Sequence, residues 1–327
     1  MSKFYFIYFI IIFFNFVFLL NYKKISSILN IFDIPNESRK LHSYPVPLLG
    51  GFILYLNLFL IFLLNLFNKN ILEKNTFLIL ITVSSFIFFL GFIDDKFRLT
   101  ANRKLLILSL ILLIFCLIDE NILIKEIQLS FFKKPIFLDN LSLFFTILCF
   151  LLFINSFNMF DGINMQCGLY SLFIFIYLIF NGTEVFLISF LLIPLLFFLY
   201  LNYKNNCFLG DSGSHFLAFF LGYLIVKDYN LNRSYFADEI FLIMAVPGYD
   251  LLRLAIIRLL KRKHPFSPDN QHIHHLILKN NTLFFTNFII QILIILPVVF
   301  MVFFNSMLLA ITISLAAYSY AVFKFRK

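Results

Sequence analysis

The sequence predicts an all-α, polytopic membrane helix bundle, and three observations lead to this prediction. Of the 327 residues, 61% are hydrophobic and only 13% are charged, and the mean hydropathy is +0.94. Long apolar runs recur along the whole chain, and short polar stretches separate them. A soluble domain of this length would carry more charge. The net charge of +9 then indicates that a cationic side of the protein faces anionic lipid and phosphorylated substrates. No nucleic-acid partner is expected.

Eleven apolar runs are long enough to cross a bilayer, and they predict about eleven transmembrane helices, with ten as the lower count. They cover residues 4–21, 48–67, 76–93, 103–119, 140–157, 166–182, 185–201, 213–227, 239–259, 283–301 and 303–322. The first run follows Lys3 and leads into Lys23 and Lys24 without a small-residue cleavage site. It predicts an uncleaved first span, with a cleaved signal peptide as the alternative.

Alternation of these spans places every polar stretch on one side of the membrane, together with most of the Lys and Arg residues. That excess predicts a cytoplasmic motif side, an N-terminus outside and a C-terminus in the cytoplasm. We see no internal repeat, soluble domain or flexible linker, so residues 1–327 are expected to form a single membrane domain. The four cysteines contain no CxxC pair and indicate neither a zinc site nor a disulfide framework.

Two acidic motifs stand at the ends of predicted spans. Asp94 and Asp95 precede Lys96, and they are either a solvated helix end or a pair that handles Mg²⁺ and a phosphate nucleophile. Asp211 lies in the GDSGS motif just before an apolar stretch. It is predicted either to cap a helix N-terminus or to bind a metal, and the motif alone leaves both interpretations open.

Two further stretches carry polar groups. Residues 158–164 read NMFDGIN and present amides and a carboxylate suited to a base, a ribose or a sugar, although the pattern also makes an ordinary turn. Residues 264–275 read HPFSPDNQHIHH within a basic loop. Imidazoles there suit hydrogen bonding to a diphosphate, while zinc binding and a solvated interfacial loop are the alternatives.

Taken together, the order and spacing of these motifs resemble the polyprenyl-phosphate N-acetylhexosamine-1-phosphate transferases, the membrane enzymes of glycosyltransferase family 4. The first loop, DIPNESRKLHSYPVPLLGG at Asp33 to Gly51, matches the family pattern with one residue inserted before Arg39. The resemblance extends from about Asp33 to about Leu278. The histidine loop is similar to that of the branch that transfers N-acetylglucosamine-1-phosphate or a related sugar phosphate. The peptidoglycan enzyme, phospho-MurNAc-pentapeptide translocase, is the alternative within the family, although it carries a different loop.

The resemblance implies roles at matching positions. Asp94, Asp95 and Asp211 would be catalytic, with Asp211 and Asp95 as ligands of Mg²⁺, for which Mn²⁺ is the substitute. The implied substrate-binding residues are Lys104, Asn158, Asp161, Asn164, Phe208, His272, His274 and His275. Within this set Phe208 would lie against the uracil, and His274 and His275 would meet the diphosphate. Asn164 stands where the family usually has Asp, and Asn270 stands where an Arg is common.

The implied reaction transfers an N-acetylhexosamine-1-phosphate from a UDP-sugar to undecaprenyl phosphate and releases UMP. It would start a cell-envelope glycan of the O-antigen, common-antigen or teichoic-acid type, in the bacterial inner membrane with the active site facing the cytoplasm. The expected partners are therefore the UDP-N-acetylhexosamine, undecaprenyl phosphate and membrane lipid, and a homodimer is left open. A transporter is the rival class, but its ionisable residues would lie near the middle of the membrane.

Overall fold

A computed structural model describes residues 2–35, 44–68, 71–263, 265 and 270–326. Part of the first-loop pattern, residues 36–43, and part of the histidine loop, residue 264 and residues 266–269, lie outside the described residues. Every residue to which the sequence assigns a site role lies inside them. The described chain is almost entirely helical, which confirms the predicted all-α fold class.

Twelve α-helices occur in the described part of the chain. They are α1 (Ser2–Leu29), α2 (Gly50–Asn68), α3 (Lys74–Phe97), α4 (Ala101–Ile118), α5 (Ser142–Phe160), α6 (Gln166–Phe180), α7 (Val185–Tyr203), α8 (Gly210–Leu231), α9 (Ala237–Leu260), α10 (Ile273–Leu278), α11 (Leu283–Phe304) and α12 (Met307–Phe325). Two antiparallel strand pairs join β1 (Phe32–Asp33) to β2 (Val46–Pro47) and β3 (Glu126–Ile127) to β4 (Ile136–Phe137).

Among the described residues, nine helices are long and apolar enough to cross a membrane, namely α1 to α5, α7, α9, α11 and α12. The chain is thus a multi-pass membrane protein. Helix α6 is shorter, with 15 residues, and α8 is not one of the nine. Each predicted apolar run lies mainly within one helix, and the last run, residues 303–322, also includes the end of α11. The count of about eleven spans and the direction of the termini stay predictions.

The helices form two compact units. Unit 1 comprises Met1–Ile111 and Ser171–Leu221, and unit 2 comprises Leu112–Tyr170 and Gly222–Lys327. The prediction of one membrane domain is not decided by this division and stays a prediction.

In unit 1, α2 packs against α1, α3 and α7. A pair of buried amides joins α1 to α2, because Asn15 and Asn57 each donate to the other's side-chain oxygen, at 2.7 and 3.0 Å. Buried amides between membrane helices need such partners, since lipid offers none.

In unit 2, α9 packs against α5, α11 and α12, and the short α10 lies against α11 and α12. Proline occurs within α9 at Pro247 and within α11 at Pro297. Membrane helices tolerate such prolines because neighbouring groups satisfy the backbone that a proline frees.

Candidate active site

The first candidate cluster lies in unit 1, and we call Asp94, Asp95, Lys104 and Asp211 the acidic cluster. The ammonium group of Lys104 pairs with the Asp94 carboxylate and lies 3.2 Å from Oδ2 of Asp211. Asp94 and Lys104 are largely buried, whereas the side chain of Asp211 is 35% exposed. One cation therefore bridges two carboxylates that are more than a hundred residues apart in the sequence.

Asp94 also closes the end of α3. Its Oδ1 accepts a hydrogen bond from the backbone N–H of Leu99 at 2.7 Å. Arg98 adopts a left-handed conformation with φ of 51°, and its N–H donates to the Asp94 carbonyl. This turn fixes the carboxylate of Asp94 at the C-terminal end of α3.

Asp95 supplies the N-terminal cap of α8. Its Oδ1 accepts from the backbone N–H of Asp211 at 2.7 Å, and its Oδ2 accepts from that of Ser212 at 3.0 Å. The first amides of a helix lack partners within the helix, and a carboxylate also stabilises the positive end of the helix dipole. Asp95 therefore caps α8, a role that the sequence left open for Asp211. The carboxylate of Asp211 instead lies towards Lys104.

Glycines bring the helices of this cluster into backbone contact. A Cβ atom at Gly91 of α3 would lie 2.5 Å from the carbonyl oxygen of Asp211. A Cβ at Gly51 of α2 would lie 2.5 Å from the backbone nitrogen of Gly213. Gly210 has a φ of +77°, which favours glycine, and it lies beside the Asp95 carboxylate. Any larger residue at Gly91 or Gly51 would push the first turn of α8 away.

Phe208 belongs to the same part of unit 1. Its N–H donates to the carbonyl of Pro47 at 2.9 Å, and its carbonyl accepts from Gly50 at 3.0 Å. The segment therefore runs beside the start of α2, through a parallel bridge between Leu48 and Phe208. Half-buried Phe208 lies three residues before Asp211.

The chemistry of the acidic cluster fits a hard divalent cation. Carboxylate oxygens are the ligands that Mg²⁺ prefers, and it is usually held by one or two carboxylates plus substrate phosphates. No group of three or more His, Cys, Asp or Glu side chains in the described part of the chain forms a ready metal cage. The Lys104 ammonium between Asp94 and Asp211 marks the position where this structure itself places positive charge.

The second candidate cluster lies in unit 2, and we call His272, His274 and His275 the histidine cluster. The rings of His272 and His274 stack at 5.4 Å, and those of His274 and His275 lie 4.3 Å apart. His274 is fully buried, and neither ring nitrogen has a hydrogen-bond partner among the residues that the structure describes. Burial, with the neighbouring His275 and His272, holds the pKa of His274 well below its ordinary value. Its imidazole is therefore neutral near pH ~7 and keeps one donor and one acceptor for a ligand.

The loop after α5 contacts the histidine cluster within unit 2. A Cβ atom at Gly162 would lie 1.9 Å from Nε2 of His274, so a larger residue there would displace the His274 ring. Asn287 of α11 donates to the carbonyl of Asn164 at 2.9 Å. The structure thus brings the NMFDGIN stretch, with Asn158 and Asp161 at the end of α5, to the histidine cluster.

The sequence interpretation missed a third set of residues. Asp250 of α9 and Tyr318 of α12 share a hydrogen bond of 2.8 Å, and Asp250 also bonds Nδ1 of His272 at 2.8 Å. A carboxylate inside a predicted span is itself a signal of function, because it is costly to bury in lipid. The partner Tyr318 lies 68 residues further along, and no local pattern points to it.

Comparisons with known proteins agree with the motifs. The family model described as glycosyl transferase family 4 matches residues 77–228. An undecaprenyl-phosphate alpha-N-acetylglucosaminyl 1-phosphate transferase of Salmonella typhi is 27% identical over 278 residues, which cover 81% of this chain and 74% of the relative. The protein of the same name from Escherichia coli (strain K12) is 28% identical over the same coverage.

A relative from a different bacterium gives the same result. The Bacillus subtilis (strain 168) protein, named "Probable undecaprenyl-phosphate N-acetylglucosaminyl 1-phosphate transferase", is 29% identical over 269 residues, or 77% of this chain and 71% of the relative. The matched family region contains both acidic motifs and the NMFDGIN stretch. The family resemblance carried by the motifs is thereby confirmed, since residues 77–228 match the glycosyl transferase family 4 model and the relatives share the same named activity.

Proposed function

We propose that this protein transfers an N-acetylhexosamine-1-phosphate, with N-acetylglucosamine as the first candidate sugar, from its UDP-linked form to undecaprenyl phosphate. A phosphate oxygen of the lipid attacks the β-phosphorus of the donor, the bond between the two donor phosphates breaks, and UMP leaves. The observation that carries the proposal is the acidic cluster, in which Lys104 bridges Asp94 and Asp211. The names of the relatives, which are undecaprenyl-phosphate transferases, support the same acceptor lipid.

The acidic cluster suits the acceptor side of this reaction. Both substrates are polyanions, so positive charge has to offset their repulsion. When bound, Mg²⁺ would supply that charge and stabilise the departing UMP. Asp94 and Asp211 would hold the cation, in place of the Asp95 and Asp211 pair that the resemblance implies, because both carboxylate oxygens of Asp95 accept backbone N–H groups at the start of α8. Lys104 would add a second positive group that contacts phosphate directly.

The histidine cluster suits the donor side. Neutral His274, with both ring nitrogens lacking partners in the described structure, offers a hydrogen-bond donor and an acceptor to the diphosphate. His274→Ala is then expected to weaken UDP-sugar binding with little change in the apparent affinity for the lipid. Varying each substrate in turn tests this, and a defect confined to the lipid would contradict the assignment.

The decisive experiment is UMP release by the purified protein with undecaprenyl phosphate and a panel of UDP-sugars. The panel includes UDP-N-acetylglucosamine and, for the peptidoglycan branch, UDP-MurNAc-pentapeptide. We expect release that is specific to one donor class and is lost with EDTA and restored by Mg²⁺. Asp238→Asn serves as a control, because Asp238 is buried in unit 2 and bonds Ser130 at the far end of α9. No UMP release from any donor by folded protein would overturn the proposal.

We further propose that the reacting surface faces the cytoplasm, because nucleotide sugars are made there. A single cysteine introduced at Lys204, in the turn after α7, should react with a membrane-impermeant thiol reagent only after the cells are opened. A cysteine at Lys134, in the β3–β4 loop, is the matched site for the opposite side. Labelling of the cysteine at Lys204 in intact cells to the same extent as in opened cells would contradict this orientation.

A further inference from the structure

A buried carboxylate in unit 2 collects four hydrogen bonds. Oδ1 of Asp250 accepts from Nη2 of Arg253 at 2.7 Å, from the Tyr318 hydroxyl at 2.8 Å and from the backbone N–H of Ile273 at 3.2 Å. Its Oδ2 accepts from Nδ1 of His272 at 2.8 Å. Three different helices, α9, α10 and α12, thus supply or position donors around one side chain.

This carboxylate is nearly sealed from solvent. Asp250 is 2% exposed, and a buried ion is stable only when its partners are complete. Arg253 also donates from Nε to the Tyr318 hydroxyl at 2.9 Å, so the arginine and the tyrosine hold each other as well as Asp250. The arrangement is a closed network rather than a single ion pair.

The network specifies the state of His272. An ionised carboxylate only accepts hydrogen bonds, so Nδ1 of His272 carries the proton. The guanidinium of Arg258 only donates, and its Nη2 lies 3.5 Å from Nε2 of the same ring. This contact favours the tautomer with an unprotonated Nε2, and turning the ring over would lose the hydrogen bond from Nδ1 to Asp250.

The network also fixes where α10 begins. His272 is the residue before the first turn of α10, and the N–H of Ile273 is one of the amides that the helix itself cannot satisfy. His274 follows in that first turn. A shift of His272 or of this turn would therefore move His274 relative to the loop around Gly162, where there is no spare space.

We infer that Asp250 is a positioning residue for transfer: through His272 and the start of α10 it holds the histidine cluster in the orientation that receives the donor diphosphate. Arg253 and Tyr318 complete this role by keeping Asp250 in place. The inference rests on the proposed function for its kinetic consequence. Its structural consequence, the protonation pattern of His272, does not depend on any activity.

The kinetic test is Asp250→Asn, which keeps the shape but removes the charge and one acceptor position. We expect kcat/KM for the UDP-sugar to fall about 10- to 100-fold, as for outer partners that orient ligand histidines, with the KM for the lipid unchanged. Asp238→Asn on the same helix is the matched control, since it removes a buried carboxylate charge that bonds Ser130 and lies outside the hydrogen-bond network of Asp250, and it should keep wild-type kinetics.

A double-variant cycle separates positioning from general damage. If Asp250 acts through His272, Asp250→Asn in a His272→Ala background should change kcat/KM by less than about threefold. A fall in kcat/KM of the double variant that equals the product of the two single-variant falls would overturn the inference. Should Asp250→Asn fail to fold, Tyr318→Phe removes one of the four donors and is expected to lower donor kcat/KM by about three- to tenfold with the same split between substrates. Wild-type kinetics of Tyr318→Phe, or a defect confined to the lipid substrate, would also overturn it.

The activity-independent test is a ¹⁵N-histidine NMR spectrum of the full chain in detergent. One Nδ1–H tautomer signal should disappear in His272→Ala and shift in Asp250→Asn, while Asp238→Asn leaves it in place. If this pattern appears without any UMP release, the positioning role stands and the proposed function fails. If UMP is released but the His272 signal ignores Asp250→Asn, the proposed function stands and this inference fails.

Discussion

The Asp95 carboxylate accepts a hydrogen bond from the backbone N–H of Asp211 at 2.7 Å, so one acidic side chain is held by the backbone of the residue that carries another. The two aspartates therefore have different duties even though both are acidic. Asp95 secures the start of α8, and Asp211 presents its carboxylate to Lys104.

The neighbouring aspartates should respond differently to the same substitution. In Asp95→Asn, one backbone N–H of α8 would face an amide NH₂ group, which costs about 1–3 kcal/mol of unfolding free energy. Asp94→Asn keeps an acceptor for Leu99 and should unfold closer to wild type. Both should lower turnover by about 100-fold or more. Thermal unfolding and UMP release of the two variants, measured side by side, check this, and equal loss of stability would contradict the division of roles.

Asp211→Asn should nearly abolish turnover and leave the fold intact. The cap of α8 comes from Asp95, and removal of the Asp211 charge weakens the 3.2 Å contact with Lys104, whose pairing with Asp94 remains. We expect turnover to fall about 100-fold or more at saturating Mg²⁺. Near wild-type UMP release would show that Asp211 needs no charge for the reaction.

Gly91→Ala should be costly because its Cβ would meet the backbone of Asp211 at 2.5 Å. Backbone atoms cannot swing aside as a side chain does, so we expect a loss of about 1–3 kcal/mol and a strong loss of activity. Gly248→Ala is the matched control, since no heavy atom of the described residues outside its own turn of helix lies within 4 Å of the added Cβ, and alanine favours a helix. Circular dichroism melting curves test both, and a harmless Gly91→Ala would contradict the tight contact.

The histidine cluster should make stability fall in acid. The pKa of His274 is held well below its ordinary value by burial and by its two neighbours, so the folded chain resists the proton that the unfolded chain takes up near pH ~6.5. Its contribution is complete above that pH and is lost progressively below it. His274→Gln should reduce the slope of unfolding free energy against pH between about 6.5 and 5 by up to about one proton. An unchanged slope would show that His274 is protonated in the folded chain.

The sequence predicted the helices better than the contacts between them. Apolar runs located each long helix because lipid requires unbroken apolar segments with internal backbone bonding. The exchange of roles between Asp95 and Asp211 was not visible, since capping is usually local and here the cap lies 116 residues away. Likewise, Asp250 was passed over as part of an apolar span, and only packing of α9 against α12 revealed Tyr318 as its partner.

The helix backbones around the acidic cluster meet directly at Gly51, Gly91 and Gly213. Small movements of these helices would therefore be passed directly to the acidic cluster. Heat or a harsh detergent should therefore not produce a folded population with a loosened, half-active cluster. Inactivation and helix unfolding are expected to follow one curve, so that a simple melting measurement reports the surviving active fraction of a preparation. In purification, the detergent that best preserves helicity should also be the one that best preserves turnover.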